Sequence, residues 1–225
     1  MDLIIFDLDG TLVNSSTPLL AAQAETFRRC GQRHPGRQAG LAIVGLSIGP
    51  ALARLAGLDE PDDRLTQTYH EVIGAMHERA LANPSLRAPL YPGVTETLSL
   101  LKRKPGLKLG IATGKSRKGT ELVLAQYGWQ GFFDTVQTAD DAPSKPHPGM
   151  ALRALAETGA TAERTAMVGD SSYDIEMAVA AEVLPVAVSW GVQPASTLVA
   201  LGARHVLTDF GDLPTILGSS TPRSV

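Results

Sequence analysis

The sequence lacks the features that would connect it to an oxidising compartment, a membrane or a nucleic acid. Its 225 residues include one cysteine, Cys30, so no disulfide can form within the chain. The first apolar run, residues 3–6, is too short for a signal peptide or a membrane span. The 20 basic and 23 acidic residues give a formal charge of −3, which offers no basic surface to a polyanion. We therefore expect a cytoplasmic protein that binds neither membranes nor nucleic acids.

Aromatic residues are also scarce, at 5% of the chain, whereas aliphatic residues and alanine are abundant. Glycine and proline interrupt every periodic stretch, and this composition is typical of a folded helix-and-strand protein. The length is enough for one large domain, or for a core of roughly 150 residues with a smaller second module. Residues 219–225, at the end of the chain, are predicted to fray.

Short apolar segments, rich in branched side chains, alternate with helical patterns along most of the chain. The predicted strands are residues 3–6, 107–112, 165–168 and 185–188, with weaker candidates at 133–136 and 205–207. The predicted helices between them are residues 94–104, 116–127, 149–158 and 173–181. This alternation implies right-handed crossovers and a parallel sheet. The predicted fold class is therefore α/β, with strand 3–6 at the centre of the sheet.

Residues 15–87 break this rhythm, because all their patterns are helical. Helices are predicted from Thr17 or Pro18 to Cys30 and over residues 35–44, 50–56 and 61–82. A helical block of about 70 residues is too long for a crossover between two strands, so it is predicted to be an inserted module. The predicted division is a core of residues 1–14 and 88–225 with an all-helical cap of residues 15–87.

Four polar clusters stand at or after the ends of predicted strands, at the edge where ligands bind in an open parallel sheet. The clusters are Asp7-x-Asp9-Gly10-Thr11, Thr113-Gly114, Lys145-Pro146 and Gly169-Asp170-x-x-x-Asp174. Each cluster alone could be a turn or the start of a helix. Because all four belong to the same edge of the sheet, together they predict an active site.

Four carboxylates meet in this predicted site, where they repel one another and raise one another's pKa. They belong to Asp7, Asp9, Asp170 and Asp174. A divalent cation and Lys145 would supply the positive charge that such a cluster needs. Oxygen ligands without His or Cys select a hard cation, so Mg²⁺ fits the site and zinc is disfavoured.

The same clusters predict phosphoryl-transfer chemistry. Asp7, held rigidly at the end of a buried strand, is the candidate nucleophile. Asp9, two residues further on, is the candidate general acid and base. Thr113 and the N–H of Gly114 are predicted to hold phosphate oxygens, and Lys145 to neutralise charge at both the phosphate and the nucleophile.

Asp-x-Asp-Gly also occurs in calcium-binding loops, but this chain does not fit that motif. An EF-hand needs Gly at loop position six and Glu at position twelve. Counted from Asp7, those positions hold Leu12 and Pro18. The calcium-loop interpretation is therefore excluded.

The clusters resemble the four sequence motifs of the haloacid dehalogenase superfamily, and the resemblance covers nearly the whole chain. The matching segments are Asp7-Leu8-Asp9-Gly10-Thr11-Leu12-Val13, Thr113-Gly114-Lys115, Lys145-Pro146-His147-Pro148 and Gly169-Asp170-Ser171-Ser172-Tyr173-Asp174. The helical insertion and the stretch Ser189-Trp190-Gly191 are similar to the phosphoglycolate phosphatase branch of that superfamily.

This resemblance implies a Rossmann-like core, a mobile helical cap and a bound Mg²⁺ ion. It places the ion on Asp7, Asp170 and the main-chain carbonyl of Asp9, with Asp174 supporting the metal site and Lys145. The dehalogenases of the superfamily lack the second aspartate of the first motif. The presence of Asp9 therefore favours phosphoryl chemistry over carbon–halogen cleavage.

The predicted function is hydrolysis of a small, phosphoglycolate-like phosphomonoester through an aspartyl phosphate on Asp7. The partner would be a small phosphorylated metabolite, and we expect a monomer or a homodimer. Three alternatives stay open: a β-phosphoglucomutase-type phosphotransferase, an inorganic pyrophosphatase and a non-catalytic regulatory protein on the same scaffold. Asn14 stands where relatives often carry aspartate, and this departure bears on substrate choice and cap closure rather than on the chemistry.

Two further features bear on the site. The five histidines show no ligand spacing and are interpreted as surface or helix-face residues. They are His34, His70, His77, His147 and His205. Residues 44–49 link two predicted helices, and they are either a specificity loop facing the core or a plain connecting turn.

Overall fold

A six-stranded parallel sheet forms the centre of the computed structural model, which describes residues 1–219. The strands are β1 (Leu3–Phe6), β2 (Lys108–Ala112), β3 (Thr135–Gln137), β4 (Thr165–Gly169), β5 (Leu184–Val188) and β6 (His205–Leu207). Their order across the sheet is β3-β2-β1-β4-β5-β6, and every neighbouring pair is parallel. The predicted α/β class and the central position of β1 are confirmed.

Helices lie between and after these strands. Those between β1 and β2 are α1 (Ser16–Arg29), α2 (Arg37–Ala42), α3 (Ile48–Ala56), α4 (Asp63–Ala82) and α5 (Val94–Lys102). The later helices are α6 (Arg117–Gln126), α7 (Gly149–Thr158), α8 (Ser172–Ala180), α9 (Ala195–Ala200) and α10 (Leu213–Ser219). Helices α9 and α10 were not predicted, because six or seven residues are too few to show a helical period.

Two further expectations concern the C-terminal tail and membrane-spanning helices. The tail predicted to fray, residues 219–225, lies outside the described residues except for Ser219, which ends α10. Within residues 1–219, no helix combines the length and the apolar character that crossing a membrane requires.

Strand β1 is buried on both faces, as its unbroken apolar run predicts. Its side chains alternate between the two faces of the sheet. Ile4 and Phe6 lie in one hydrophobic cluster, whereas Leu3 and Ile5 lie in another. Truncation of a side chain such as Ile5 to alanine would cost about 2–5 kcal/mol, so the strand is firmly held. This packing fixes the position of the residue that follows the strand, Asp7.

Helices α1 to α4 form an all-helical segment with a hydrophobic cluster of its own. Members of that cluster include Phe27 from α1, Leu52 from α3, and Leu65 and Tyr69 from α4. Helix α4 begins after Asp62, whose side chain accepts a hydrogen bond from the N–H of Leu65 at 2.7 Å. A separate cluster of this kind allows a helical insertion to pack as a unit against the sheet domain.

Helix α2 is shorter than the predicted helix over residues 35–44. Gly36 has a φ of 109°, which side chains other than glycine rarely adopt, so the helix begins at Arg37. It ends at Ala42, and the chain then turns towards the edge of the sheet. Residues 44–49 are thereby available to contact the core.

The two connections between the helical segment and the sheet domain lie side by side. Val13 and Leu90 form an antiparallel bridge. The N–H of Asn14 donates to the carbonyl of Pro89 at 2.9 Å, and the N–H of Tyr91 donates to the carbonyl of Leu12 at 3.1 Å. The chain therefore enters and leaves the helical segment through two adjacent, hydrogen-bonded connections.

Candidate active site

Asp7 lies directly after β1 and is held by the neighbouring strand. Its N–H donates a hydrogen bond to the carbonyl of Val168 on β4 at 3.0 Å. Its side chain is 2% exposed, and its Oδ1 accepts a hydrogen bond from Nζ of Lys145 at 2.7 Å. Its Oδ2 is buried and has no hydrogen-bond partner among the described residues. One oxygen of Asp7 is therefore fixed, and the other is available to a ligand.

Lys145 is the positive charge at the centre of the site, and it is fully buried. Its Nζ donates to Oδ1 of Asp7, to Oδ1 of Asp174 at 2.6 Å and to the carbonyl of Ala112 at 3.2 Å. Burial by itself lowers the pKa of a lysine, but here Asp174 and Asp7 outweigh burial and raise the pKa of Lys145. The ammonium therefore stays charged and offsets part of the negative charge around it.

Asp174 connects this lysine to the start of α8. Its Oδ2 accepts hydrogen bonds from the N–H of Ser171 at 3.1 Å and from Oγ of Ser171 at 2.7 Å. The side chain of Ser171 in turn accepts from the N–H of Asp174, and this reciprocal capping box fixes the first turn of the helix. Gly169 has no room for a side chain, because a Cβ there would lie 2.3 Å from Cβ of Asp174. Asp174 is thus locked against the end of β4.

Asp170 is oriented by two hydrogen bonds from different parts of the chain. Its Oδ1 accepts from Oγ1 of Thr11 at 3.1 Å, and its Oδ2 accepts from the N–H of Val192 at 2.8 Å. Burial and the nearby Asp174 raise the pKa of Asp170 to about 7 in spite of these hydrogen bonds. The carboxylate is therefore well positioned, but the positive charge near it does not offset its burial and its repulsion by Asp174.

The loop after β5 supports Asp170 from the other side. Nε1 of Trp190 donates to the carbonyl of Thr11 at 3.2 Å. A Cβ on Gly191 would lie 2.0 Å from Cβ of Asp170, and a Cβ on Gly10 would lie 2.2 Å from its Oδ2. Only glycine fits at these two positions, since the main chain on both sides touches the aspartate. The stretch Ser189-Trp190-Gly191 thus has a structural role in the site.

Three carboxylates form a group that could hold a metal ion. Ligand oxygens of Asp7, Asp170 and Asp174 all lie within 4.8 Å of one another, and all three side chains are buried. Burial and the charges of Asp174 and Asp170 raise the pKa of Asp7 well above its usual value, although Lys145 opposes them. Together with the unpartnered Oδ2 of Asp7, this shortage of positive charge fits a hard divalent cation bound by oxygen. The ligand predicted at the carbonyl of Asp9 stays a prediction.

Asp9 belongs to a second cluster of charged and polar side chains, which lies between the sheet domain and the helical segment. Its Oδ2 lies 2.7 Å from Nζ of Lys115, and the two side chains are 13% and 11% exposed. Burial acts to raise the pKa of Asp9, but Lys115 outweighs it and holds that pKa below its usual value. Asp9 is therefore ionised while it is paired with Lys115.

His77, on α4, lies beside this ion pair. Nε2 of Gln126 on α6 donates to the carbonyl of His77 at 2.9 Å and also contacts its Nδ1 at 3.2 Å. Because Nδ1 accepts this hydrogen bond, the proton of the neutral ring is assigned to Nε2. Nε2 is buried without a partner among the described residues. Burial and the positive Lys115 lower the pKa of His77 to about 4 against the opposing effect of Asp9, so the ring is neutral near pH 7.

Residues 44–49 approach the ends of β2 and β4. A Cβ on Gly114 would lie 2.4 Å from the carbonyl oxygen of Leu46, so the two main chains touch. The N–H of Ser47 donates to Oγ of Ser144 at 2.9 Å, next to Lys145 in the chain. The position of residues 44–49 agrees with their interpretation as a loop that faces the core. It does not agree with their interpretation as a plain connecting turn.

A cavity of about 70 Å³ lies between these residues. Its core side includes Asp7, Asp9, Thr113, Gly114 and Lys115. The helical segment contributes mostly apolar side chains to it. These are Leu19, Ile43, Val44, Leu46, Ile48, Ala51, Tyr69 and Ile73, with Gln23, His70 and His77 as the polar members.

The sequence similarity of this chain to known proteins extends over most of its length. The model of the haloacid dehalogenase-like hydrolase family matches residues 4–188. The chain belongs to this family. The sequence resemblance described above is thereby confirmed.

Individual proteins are similar over nearly the full length of this chain. A probable phosphatase, IndB, from Dickeya dadantii is 34% identical, with 94% of this chain and 91% of the relative covered. The pyrophosphatase PpaX from Oceanobacillus iheyensis is 30% identical, with 96% and 97% covered. The crystal structure of a predicted phosphoglycolate phosphatase from Haemophilus somnus superposes with a TM-score of 0.81 at 25% identity, covering 96% and 97% of the two chains.

In this haloacid dehalogenase-like hydrolase, the site residues predicted from the sequence fall into two groups. Lys145 joins Asp7 to Asp174, and Asp170 lies beside them. Asp9, Thr113 and Gly114 line the cavity next to this group. The catalytic, phosphate-binding and metal-binding roles of all these residues stay predictions.

Three contributors to the site were not singled out from the sequence. Lys115 belongs to the second sequence motif, but the motif predicts no role for it. His77 was interpreted as a surface or helix-face residue, although it follows Tyr69 and Ile73 at intervals of four on α4, and that spacing places the three on one helix face. Val192 donates to Asp170 through its main chain, a contact for which the residue type gives no signal.

Proposed function

We propose that this protein is a magnesium-dependent phosphatase that hydrolyses small phosphomonoesters in the cytoplasm through an aspartyl phosphate on Asp7. The observation that carries the proposal is the asymmetry of Asp7. Lys145 holds Oδ1 of this aspartate, while the buried Oδ2 has no partner among the described residues. Membership of a hydrolase family with a relative named as a probable phosphatase supports the same reaction.

The first half-reaction transfers the phosphoryl group to Asp7. Its carboxylate oxygen attacks phosphorus, the ester P–O bond breaks, and the electron pair of that bond moves to the leaving oxygen. Asp9, once it has taken up a proton, donates that proton to the leaving oxygen. The products are the free alcohol and an acyl phosphate on Asp7.

The second half-reaction returns the enzyme to its starting state. Water attacks the phosphorus of the acyl phosphate, and Asp9 accepts a proton from that water. The bond between phosphorus and the oxygen of Asp7 breaks, its electron pair restores the carboxylate, and inorganic phosphate leaves.

The groups proposed to hold the phosphate are the hydroxyl of Thr113, the N–H of Gly114 and the ammonium of Lys145. Asp7, Asp170 and the carbonyl of Asp9 are proposed to hold Mg²⁺, with Asp174 supporting them and Lys145. Bound there, Mg²⁺ would neutralise carboxylate and phosphate charge and orient the phosphate for in-line attack.

Residues 15–87 are proposed to act as a cap on a core of residues 1–14 and 88–225. The loop over residues 44–49 touches Gly114 and Ser144, so it covers the site when the helical segment lies as described. The paired connections at Val13 and Leu90 are the position at which the segment could swing. Opening and closure would then control the access of substrate and water. We expect this unit to work as a monomer or a homodimer.

A pyrophosphatase reaction, which the PpaX relative carries out by name, is less well supported by the site. The leaving group of a pyrophosphate substrate is a second phosphate, which brings further negative charge into the cavity. Lys115 is the only lysine or arginine among the described residues that line the cavity, and it is paired with Asp9. A mutase reaction would need groups that protect the acyl phosphate, but residues 14–33 contain no histidine and residues 44–49 no arginine.

The deciding experiment is Asp7→Asn, assayed with Mg²⁺ against a panel of small phosphomonoesters that includes phosphoglycolate. Turnover should disappear, and labelled phosphate should no longer be trapped on the protein after acid quenching, because the nucleophile is gone. The matched control is Asp2→Asn, an aspartate at the other end of β1 whose side chain is 38% exposed and pairs with Arg164. It should leave turnover unchanged. Trapping of phosphate on Asp7→Asn would contradict the assignment.

A further inference from the structure

A second, larger cavity adjoins the first where Asp9, Lys115 and His77 meet. Its volume is about 220 Å³, and the two cavities share Asp9, Leu19, Ile73, Lys115 and His77 in their walls. The remaining wall is largely apolar and comes from both parts of the molecule. The helical segment supplies Met76 and Ala80, and the sheet domain supplies Val13, Val123 and Tyr127.

Charge is nearly absent from this second cavity. Of the described residues that line it, Asp9 and Lys115 neutralise each other at 2.7 Å, and Arg79 is exposed on α4. While Asp9 is ionised and paired with Lys115, an anionic leaving group, such as the carboxylate of glycolate or a second phosphate, would enter without a free buried cation to pair with. Burial of an unpaired charge is costly, whereas an apolar group gains free energy in such a space.

The size of the cavity sets the size of its occupant. An engineered cavity of about 150 Å³ with apolar walls, in another protein, is large enough to bind benzene. The present cavity therefore holds a phenyl-sized group with room to spare. His77 is a polar member of the wall, and its Nε2 has no hydrogen-bond partner among the described residues.

We propose that this cavity binds the leaving group of the phosphate ester, and that this group is an uncharged, mainly apolar moiety of phenyl size or slightly larger. The inference rests on the proposed phosphatase function, since it takes Asp9 as the acid that protonates the leaving oxygen. The leaving oxygen must lie within hydrogen-bond reach of Asp9. The atoms attached to that oxygen then extend into the space that Asp9 borders. The substrate is thus bulkier and less charged than phosphoglycolate.

The test compares phenyl phosphate with methyl phosphate and phosphoglycolate in the wild-type enzyme and in Ala80→Phe, which fills the cavity. We expect phenyl phosphate to have the highest kcat/KM in the wild type. The variant should lower that value about tenfold or more, with little change for methyl phosphate, because only the bulky group needs the cavity. The matched control is Leu81→Phe, the next residue on α4, whose side chain is exposed. It should change neither substrate.

A binding measurement keeps the test independent of turnover and of the folding of the variant. Wild-type protein is titrated with phenylphosphonate and with methylphosphonate by calorimetry, and phenylphosphonate should bind about tenfold more tightly. If methyl phosphate is hydrolysed but the two phosphonates bind equally, the cavity inference fails and the phosphatase proposal stands. If phenylphosphonate binds more tightly but no ester is hydrolysed, the phosphatase proposal fails and the cavity still binds a phenyl-sized group. Preference for phosphoglycolate over phenyl phosphate would also overturn the inference.

Discussion

The site contains two charged clusters that differ in what holds them in place. Asp7, Lys145 and Asp174 are almost completely buried and are fixed by strands and a helix of the sheet domain alone. Asp9, Lys115 and His77 are partly exposed and meet where α4 lies against that domain. The first cluster is therefore preorganised by the sheet, whereas the second is complete only when the helical segment is in place. The proposed nucleophile is rigid, and the proposed proton transfer depends on the cap.

The largest effect is expected from Lys145→Met, which breaks the buried cluster. Two carboxylates would lose their common cation, so the free energy of unfolding should fall by about 3–5 kcal/mol and turnover should be lost. Urea denaturation without added metal measures the change. Lys102→Met is the control, because its ion pair with Asp134 is 34% exposed on both sides and should contribute about 1 kcal/mol or less. Equal losses of unfolding free energy in the two variants would show that the buried cluster stabilises the fold no more than an exposed ion pair does.

The second prediction concerns the pH dependence of stability without a divalent cation. The pKa of Asp170 is raised from 3.8 to about 7, so the folded state holds a proton that the unfolded state releases. The contribution of Asp170 to the free energy of unfolding should be fully present below about pH 4. It should be lost as the pH rises towards 7. Bound Mg²⁺ should reduce the loss, since it stabilises the carboxylate form.

Thermal unfolding between pH 5 and pH 8, with chelator or with Mg²⁺, measures this effect. Asp170→Asn should weaken both the pH dependence and the stabilisation by Mg²⁺, because the amide neither titrates nor carries the charge that attracts the ion. Identical curves with chelator and with Mg²⁺ in the wild type would contradict metal binding at this cluster.

The smallest effect on stability is expected from Lys115→Met, which disturbs the second cluster. Loss of the positive charge should raise the pKa of Asp9, which Lys115 now holds below its usual value. The acidic limb of the kcat profile, which reports the ionised Asp9 needed to accept a proton from water, should move to higher pH. Because the two side chains are only 11% and 13% exposed, removal of the lysine leaves a largely buried carboxylate unpaired, and the free energy of unfolding should fall by about 1–3 kcal/mol, less than in Lys145→Met.

Lys118→Met, an exposed lysine on α6, is the matched control for Lys115→Met. It should leave both the pH profile and the stability unchanged. If the profile of Lys115→Met stayed at the wild-type position, the ion pair would have no influence on Asp9 and the second cluster would be structural only.

The first cluster could be predicted from the sequence because its geometry follows from strand order. Asp7 and Asp170 each follow an apolar run, and adjacent parallel strands bring their carboxyl ends to one edge. The supporting contacts were harder to predict. The N–H of Val192 and the carbonyl of Ala112 act through the main chain, where any residue type would serve. Helices α9 and α10 were missed for a related reason, since they are too short to show a period.

What the sequence by itself determined is the α/β class, the central β1 and the helical block, because these depend on apolar periodicity and on the length of each segment. Only the tertiary structure decided that Lys115 pairs with Asp9, that His77 faces this pair, and that residues 44–49 touch Gly114. These contacts depend on how α4 and its neighbours pack against the sheet domain. That packing results from many weak apolar contacts between surfaces distant in the chain, and no local pattern specifies it.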